Sequence, residues 1–220
     1  MNSLILRTIA LITMIIDHTG AVFFPGVDSF RIIGRIAFPI YCFLLVEGFR
    51  HSGDVKRYIR RLAAFAIISE LPFDLAFFGK LEITHQNIFF TLTLGLIAIY
   101  LMDTKGKELP YMGLVSVVVA MVLASLLNTD YGYIGILYIL IFYHTRLMTG
   151  PMRHLIAFIV FTLSNFLFTG GLQLYSSLAF IFIVAYNGNP GPRSKAIQYF
   201  YYAAYPLHLM VIFLISRYII

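Results

Sequence analysis

An aspartate and a histidine stand side by side, as Asp17 and His18, inside the nearly unbroken apolar run ITMIIDHTGAVFF of residues 12–24. A neutral imidazole can take a proton from an amine or hydroxyl that attacks an acyl carbon, and a nearby carboxylate can raise its basicity and fix its tautomer. Consecutive helical residues diverge by about 100°, so Asp17 is not expected to orient His18. The orienting group is expected to be a carboxylate on a facing helix: Asp74, Glu70 or Asp130.

Polar side chains on other apolar segments are expected to reach the depth of His18. At about 1.5 Å per residue, His18 lies roughly 20 Å from the start of a helix that begins near residue 4, in the outer half of a bilayer. Charged groups at such a depth are costly and usually face a bundle interior, a cavity or one another. We therefore expect one polar site there. Its catalytic residues are predicted to be His18, Asp17, Asp74 and Glu70, and its substrate-binding residues Arg35, Gln86, Asn87, Asp130 and His208.

Each of these residues also has a purely structural interpretation. An isolated histidine within a membrane can be a hydrogen-bonded packing residue, and Arg35 can serve only to neutralise Asp17 or Asp74. Asp130 precedes a predicted helix and can be its N-cap. The convergence in depth favours a functional site, because burying a set of charges costs stability that packing alone does not require.

The composition shows that these residues are surrounded by a lipid bilayer. Hydrophobic residues make up 60% of the 220 positions and charged residues only 12%, against about 45–50% and 25% in soluble domains. Apolar segments long enough to be membrane helices recur from one end of the chain to the other. The sequence therefore predicts an integral membrane protein.

Breaks at proline, glycine, asparagine and charge clusters divide the chain into about nine predicted helices. They cover residues 4–24, 31–50, 57–79, 87–102, 110–128, 131–146, 153–169, 171–187 and 196–218. No polar stretch is long enough to form a separate soluble domain, so residues 1–220 are expected to form one all-α domain, a polytopic transmembrane bundle. The first segment lacks the cleavage pattern of a secretory signal and is expected to be retained.

The distribution of basic residues predicts that the N-terminus is cytoplasmic. Residues 50–61, where the second predicted helix ends and the third begins, carry five lysines and arginines, which by the positive-inside rule belong in the cytoplasm. Alternation of the helices then places twelve of the sixteen basic residues on that side. Charge spread in this way does not form the aromatic-interleaved patch of a nucleic-acid-binding protein, so no nucleic-acid partner is expected.

The motifs of several other chemistries are missing. A metal site built from Asp17, His18, Asp74 and His208 is conceivable, but no HExxH, CxxC or comparable ligand spacing occurs, so no metal is expected. The single cysteine, Cys42, has no partner for an intramolecular disulfide, and neither GxSxG nor a Walker A motif is found. A proton-coupled transporter stays open as an alternative, because buried acids and histidines also form proton relays. We find no inverted repeat to support it.

Six stretches together resemble the TraX family of membrane proteins. They are MIIDHTG at 14–20, GRIAFPIYCFLLVEGF at 34–49, ISELPFDLAF at 68–77, QNIFFTLTLGL at 86–96, DYGYIGIL at 130–137 and FYYAAYPLHLMVI at 200–212. The resemblance covers about nine-tenths of the chain, in order. It implies a multi-pass protein of the bacterial plasma membrane.

The resemblance also implies an activity. The founding member of the TraX family acetylates the N-terminus of a conjugative pilin, and the family is similar to membrane acyltransferases that take an acyl group from cytoplasmic acyl-CoA. In many of these enzymes a histidine on the first helix is catalytic and follows a basic residue after ten intervening positions, as His18 follows Arg7. We therefore expect an acetyltransferase that uses acetyl-CoA and an unidentified peptide, glycan or lipid acceptor.

The phosphates of coenzyme A need basic partners near the cytoplasmic face. Guanidinium groups match phosphate oxygens in geometry and charge, and Arg7, Arg60 and Arg61 are predicted to bind the donor. Their alternative role is that of positive-inside anchors.

Overall fold

The computed structural model describes residues 1–148, 150–192 and 194–219. Ten α-helices and one 3₁₀ helix occur in these residues. They are α1 (Ser3–Phe23), α2 (Asp28–Gly34), α3 (Ala37–Arg50), α4 (Val55–Phe78), α5 (Ile88–Glu108), α6 (Pro110–Leu126), α7 (Gly132–Thr145), α8 (Pro151–Phe168), the 3₁₀ helix Gly171–Leu178, α9 (Ala179–Val184) and α10 (Lys195–Tyr218). The predicted all-α bundle is confirmed.

Two of the nine predicted segments consist of two consecutive pieces. The predicted helix 31–50 starts earlier, as α2, and breaks between Gly34 and Ala37 before α3. The predicted helix 171–187 begins as the 3₁₀ helix, where Gly170 and Gly171 have φ of +63° and +52°, and ends as α9. Left-handed backbone of this kind suits glycine and interrupts an α-helix.

The fourth predicted helix, 87–102, is longer in the structure. α5 continues to Glu108, and ion pairs along its final turns, Lys105–Glu108 at 3.4 Å and Lys107–Asp103 at 3.3 Å, join its side chains at helical spacing. Pairs three or four residues apart support a helix in water. The charged end of α5 therefore extends the helix beyond its apolar part.

Five helical segments of the described chain are long and apolar enough to cross a membrane. They are Ser3–Phe23, Asp28–Arg50, Ile88–Glu108, Pro151–Phe168 and Lys195–Tyr218. Shorter apolar helices occupy 111–126, 132–145 and 171–184. Many large apolar side chains on α6 and α8 are exposed, including Leu114, Val118, Phe158 and Leu163. Lipid is the environment that such surfaces require.

α3 and α7 form the centre of the bundle. Nearly all of their side chains are buried, among them Ile40, Phe43, Ile136 and Tyr138. α1 packs against α2, α3 and α10, while α4 packs against α5 and α10. α1, α4 and α10 thus meet around one space, and their inward faces carry the residues described below.

Opposite ends of the bundle can be told apart by their contacts. At one end, here called the inner side, the amino group of Met1 donates to the Ala185 carbonyl and Arg153 pairs with Glu47 at 3.2 Å. At the other end, the outer side, the backbone amide of Asp130 donates to the Gln86 carbonyl at 2.8 Å. The inner side is the one that the sequence predicts to be cytoplasmic. Arg193, one of the twelve basic residues assigned to that side, lies outside the described residues.

Candidate functional site

His18 is hydrogen-bonded to another histidine. Its Nδ1 lies 2.7 Å from Nε2 of His208 on α10, and the two rings stack with centroids 5.0 Å apart. His18 is buried, with 8% of its surface exposed. The structure thus places His208, predicted as a substrate-binding residue, where the sequence predicts a carboxylate.

The hydrogen bonds around this pair fix the tautomer of each ring. Nδ1 of His208 lies 2.8 Å from the carbonyl oxygen of Ala204, which can only accept, so Nδ1 carries the hydrogen. In a neutral ring Nε2 of His208 is then an acceptor, and Nδ1 of His18 must donate to it. This leaves Nε2 of His18 with a free lone pair. A backbone carbonyl therefore sets up the basic nitrogen of His18 through His208.

Aromatic rings surround the histidine pair. Phe77 of α4 meets His18 edge to face at 5.3 Å, and the ring centroid of Tyr205 lies 6.0 Å from that of His18 and 5.5 Å from that of His208. Such apolar surroundings favour the neutral form of an imidazole. They also limit the access of water to the pair.

A cavity of about 540 Å³ extends from the inner side towards the histidines. Ser3, Arg7 and Met14 of α1 line it in succession, and Gln198, Tyr201, Tyr202 and Tyr205 line it along α10. On both helices these positions recur at helical spacing and lead towards His18 and His208. The volume is typical of small-molecule sites. His18 itself does not line the cavity, and Tyr205 lies at its deep end.

The mouth of the cavity is basic. Arg7 lines it without an ion pair among the described residues, and the guanidinium of Arg61 lies between the rings of Tyr58 and Tyr202, at 5.3 and 5.5 Å from their centroids. A neighbouring basin of about 580 Å³ is lined by Arg57, Arg60, Arg61 and Lys195 together with Asp54. Arginines without carboxylate partners suit an anionic ligand. All three predicted donor-binding arginines border this connected space.

Asp17 points away from the histidines and belongs to a cluster of charges on the outer side. Its Oδ2 lies 2.8 Å from Arg31, and its Oδ1 lies 4.0 Å from Arg35. Arg35 also donates to the Tyr131 hydroxyl at 3.3 Å and to Oε1 of Gln173 at 3.2 Å. We call Asp17, Arg31 and Arg35 the charge cluster. The structural alternative for Arg35, neutralising Asp17, is realised in the geometry.

The other predicted carboxylates have local partners on the outer side. Glu70 accepts from the backbone and side-chain amides of Asn87, and the Asn87 side chain in turn caps α5 by accepting from the Phe89 amide. Asp74 accepts from the backbone amide of Glu82 at 3.0 Å. Neither Glu70 nor Asp74 is hydrogen-bonded to His18 in the described part of the chain. These contacts hold the connection between α4 and α5.

Asp130 and Gln86 lie in the outer loops. The backbone of Gln86 pairs with Asn128 and Asp130, joining the two loops. Asp130 makes no side-chain cap on α7, so the N-cap alternative is not realised. Burial raises the pKa of the Asp130 carboxyl, while the charges of His85 and Arg35 act to lower it. The polar residues predicted to share one site are thus divided between the histidine pair, the charge cluster and the loops.

Sequence reasoning missed the aromatic face of α10. Gln198, Tyr201, Tyr202, Tyr205 and His208 recur at the three- and four-residue spacing of one helical face. A polar and aromatic stripe of this kind inside an apolar segment predicts a lined cavity. Arg7 and His18 likewise share one face of α1, since eleven residues make just over three full turns and span roughly 16 Å.

Metal coordination finds no support in the side-chain clusters. Within residues 1–148, 150–192 and 194–219, no group of three or more histidine, cysteine, aspartate or glutamate side chains is arranged to hold a metal ion. Cys42 is buried and free.

Comparisons with known proteins match the chain to one family model and to relatives from two organisms. The family model described as TraX protein matches residues 3–216. The chain is 27% identical to a probable fimbrial assembly protein FimC, serogroup H1, from Dichelobacter nodosus, over 94% of this chain and 92% of that protein. It is 32% identical to an uncharacterized protein of Rickettsia prowazekii over 58% of this chain and 49% of that protein. No solved structure matches the chain.

Proposed function

The chain belongs to the TraX family, and we propose that it is a membrane-embedded acetyltransferase with His18 as its general base. The donor is acetyl-CoA from the cytoplasm, and the acceptor is an amine or hydroxyl that arrives from the outer side. The observation that carries the proposal is the cavity, which leads from arginines without ion pairs among the described residues to Tyr205, and Tyr205 contacts both histidines.

The cavity supports a donor of this shape. Coenzyme A is charged at one end and carries the acyl thioester at the end of a long, narrow arm. Arg7 and Arg61 lie near the mouth and Tyr205 at the deep end, so the charged and reactive ends of such a molecule each meet suitable side chains. The wider basin lined by Arg57 and Arg60 suits the phosphates that lie outside the arm.

The position of His18 favours direct transfer over an acetyl-histidine. A donor in the cavity reaches Tyr205 but not His18, and the two ring centroids are 6.0 Å apart. Direct transfer needs two consecutive contacts of roughly 3 Å each. One joins the base to the nucleophile, and the other joins the nucleophile to the acyl carbon. Direct transfer, with the acceptor atom between His18 and the thioester, therefore needs no contact between His18 and the acyl carbon.

The reaction then balances without any further reactant. Nε2 of His18 takes the proton of the acceptor amine or hydroxyl as the nitrogen or oxygen bonds to the acetyl carbon. The carbon–sulfur bond of the thioester breaks, and the electron pair leaves with sulfur. The proton passes from His18 to that thiolate, which yields the acetylated acceptor and free coenzyme A.

In this proposal the charge cluster belongs to the acceptor side. Asp17, Arg31 and Arg35 are held together by ion pairs and do not border the donor cavity. The name of the Dichelobacter nodosus relative refers to fimbrial assembly. A protein of a surface appendage is accordingly one candidate acceptor, beside a glycan and a lipid headgroup.

Acetyl transfer by purified protein in proteoliposomes tests the proposal. Acetyl-CoA labelled in the acetyl group is supplied to the vesicles with three acceptors in parallel: a short peptide with a free N-terminus, a monosaccharide and a lipid with an ethanolamine headgroup. Label is expected in one of them. His18→Ala is expected to lower the rate by about 10²–10⁴-fold, the usual contribution of a general base.

The matched control is His154→Ala, which removes a histidine of α8 outside the site and is expected to leave the rate unchanged. Equal transfer by His18→Ala and wild type would contradict the general base. If wild-type protein neither binds acetyl-CoA nor moves label, and the same vesicles instead show proton-coupled uptake with a pH-sensitive dye, the transporter alternative replaces the enzyme.

A further inference from the structure

The hydroxyl of Tyr205 is a buried polar group that has no hydrogen-bond acceptor among the described residues. Tyr205 is 3% exposed and lies at the deep end of the cavity. Its hydroxyl has no hydrogen-bond partner that meets ordinary geometry among the described residues. Buried hydroxyls are nearly always hydrogen-bonded, and an unpaired one costs stability.

Other tyrosines near the centre of the bundle show the usual situation. The Tyr138 hydroxyl bonds to the side chains of Asn165 and Gln173, and the Tyr202 hydroxyl accepts from Arg61 at 3.3 Å. The Tyr201 hydroxyl lies 2.6 Å from that of Thr8. A phenylalanine at position 205 would keep the same ring contacts at lower cost. The Tyr205 hydroxyl is therefore suited to donate a hydrogen bond to a ligand.

A second donor lies close to this hydroxyl. The hydroxyl oxygen of Tyr205 faces the backbone N–H of Ile88, the first residue of α5, which also lines the cavity. The first N–H groups of a helix have no acceptor within the helix, and the N-terminus carries partial positive charge. Hydroxyl and helix N-terminus thus lie together in two residues of the cavity wall.

We propose that the Tyr205 hydroxyl and the N–H of Ile88 form an oxyanion site for the carbonyl oxygen of the acyl thioester. The inference rests on the proposed acetyltransferase activity and assigns a second catalytic group to it. As the acceptor bonds to the acyl carbon, the carbonyl π electrons move to oxygen, and the two donors stabilise that negative charge. When the carbonyl reforms, the carbon–sulfur bond breaks and the thiolate leaves.

His18 and Tyr205 then act on opposite partners of one reaction. His18 removes the proton of the acceptor, and Tyr205 binds the carbonyl oxygen of the donor. Their ring contact at 6.0 Å places both functions at the point where cavity and histidine pair meet.

Tyr205→Phe tests the inference in the same proteoliposome assay. Removing one oxyanion donor typically lowers the rate by about 10²–10³-fold. We expect such a loss, with the affinity for acetyl-CoA unchanged and the thermal unfolding temperature unchanged or higher, because the variant removes an unpaired hydroxyl. The control, Tyr138→Phe, removes a paired hydroxyl and is expected to lower the unfolding temperature while the folded protein keeps its rate.

A second variant probes the backbone donor. Ile88→Pro deletes the N–H at the first position of α5, where proline is well tolerated. The preceding residue, Asn87, has φ of −65° and ψ of 166°, which is compatible with a following proline. We expect roughly a tenfold loss of rate with the helix intact by circular dichroism.

The outcomes separate the two proposals. Slow transfer by both variants with unchanged acetyl-CoA binding supports the oxyanion site. Tyr205→Phe at the wild-type rate overturns it while leaving the acetyltransferase proposal in place. Wild-type protein that transfers no acetyl group overturns both.

Discussion

Asp17 and His18 are neighbours in the chain, yet their side chains enter regions of opposite construction. Asp17 lies in the charge cluster, where an arginine at 2.8 Å and another at 4.0 Å hold the carboxylate. His18 lies against His208, Phe77 and Tyr205 and forms no ion pair within the part of the chain that the structure describes. One region is paired and charged, and the other is neutral and adjoins a cavity.

The difference shows which region suits proton transfer beside the cavity. The Asp17 carboxylate has arginine partners, and it does not line the donor cavity. A neutral imidazole whose other nitrogen is fixed by a donated hydrogen bond has one basic site ready. We infer that the charge cluster joins α1 to α2 and shapes the outer side, while the histidine pair carries the chemistry.

The largest effect within this comparison is expected from His208→Ala. Without its acceptor, Nδ1 of His18 no longer holds its tautomer, and we expect transfer to fall by about 10–100-fold, a typical loss when the partner that orients a histidine is removed. The free energy of unfolding is also expected to fall by about 1–3 kcal/mol, because Nδ1 of His18 loses its hydrogen-bond partner in a buried position. His208→Gln places an amide oxygen near the former Nε2 and is expected to recover part of the rate. No recovery, with equal loss in both variants, would point to packing rather than orientation.

A smaller effect is expected from Arg7→Gln at the cavity mouth. Loss of one charge-assisted contact to phosphate corresponds to roughly a tenfold higher KM for acetyl-CoA. The turnover rate and the KM for the acceptor are expected to stay the same. Lys80→Gln, which removes an exposed charge of the outer side, is the control. An unchanged donor KM in Arg7→Gln would mean that Arg7 is only a membrane anchor.

The smallest effect on transfer is expected from Gly34→Ala. A Cβ at Gly34 would lie 2.0–2.3 Å from atoms of the Asp17 side chain, so α2 and the carboxylate must separate. We expect a loss of about 1–3 kcal/mol in the free energy of unfolding, the usual cost of overpacking, with the rate of the folded protein preserved. Gly53→Ala, with open space around its Cβ, is the control. A large loss of rate at unchanged stability would assign the charge cluster to the chemistry after all.

Much of the fold could be predicted because the bilayer imposes lengths that are visible in sequence. The predicted segments correspond to α1 and to α4 through α8 within a few residues at most ends, except where charged turns extend α5. The break between α2 and α3 has a local signal that was passed over. Pro39, in the first turn of α3, has no N–H to donate to the Arg35 carbonyl and disfavours a continuous helix there.

The sequence pointed to residues of the candidate site but not to the contacts between them. The position of His18 and its shared helical face with Arg7 follow from sequence spacing alone. The predicted carboxylate partner of His18 was wrong. Glu70 and Asp74 instead accept hydrogen bonds from the backbone amides of Asn87 and Glu82, in the connection between α4 and α5. The stripe ending in Tyr205 and His208 was readable from spacing but was passed over.

The sequence by itself determined that this chain is a membrane bundle of the TraX family, with a basic nitrogen buried on its first helix and arginines towards the inner side. Apolar length, basic residues and helical spacing are local properties, and they depend on no contact between distant segments. Only the tertiary structure decided that His208 faces His18, that Asp17 pairs with Arg31, and that Tyr205 lies at the end of the cavity. Those choices depend on which helix faces meet, and packing across the whole bundle settles that.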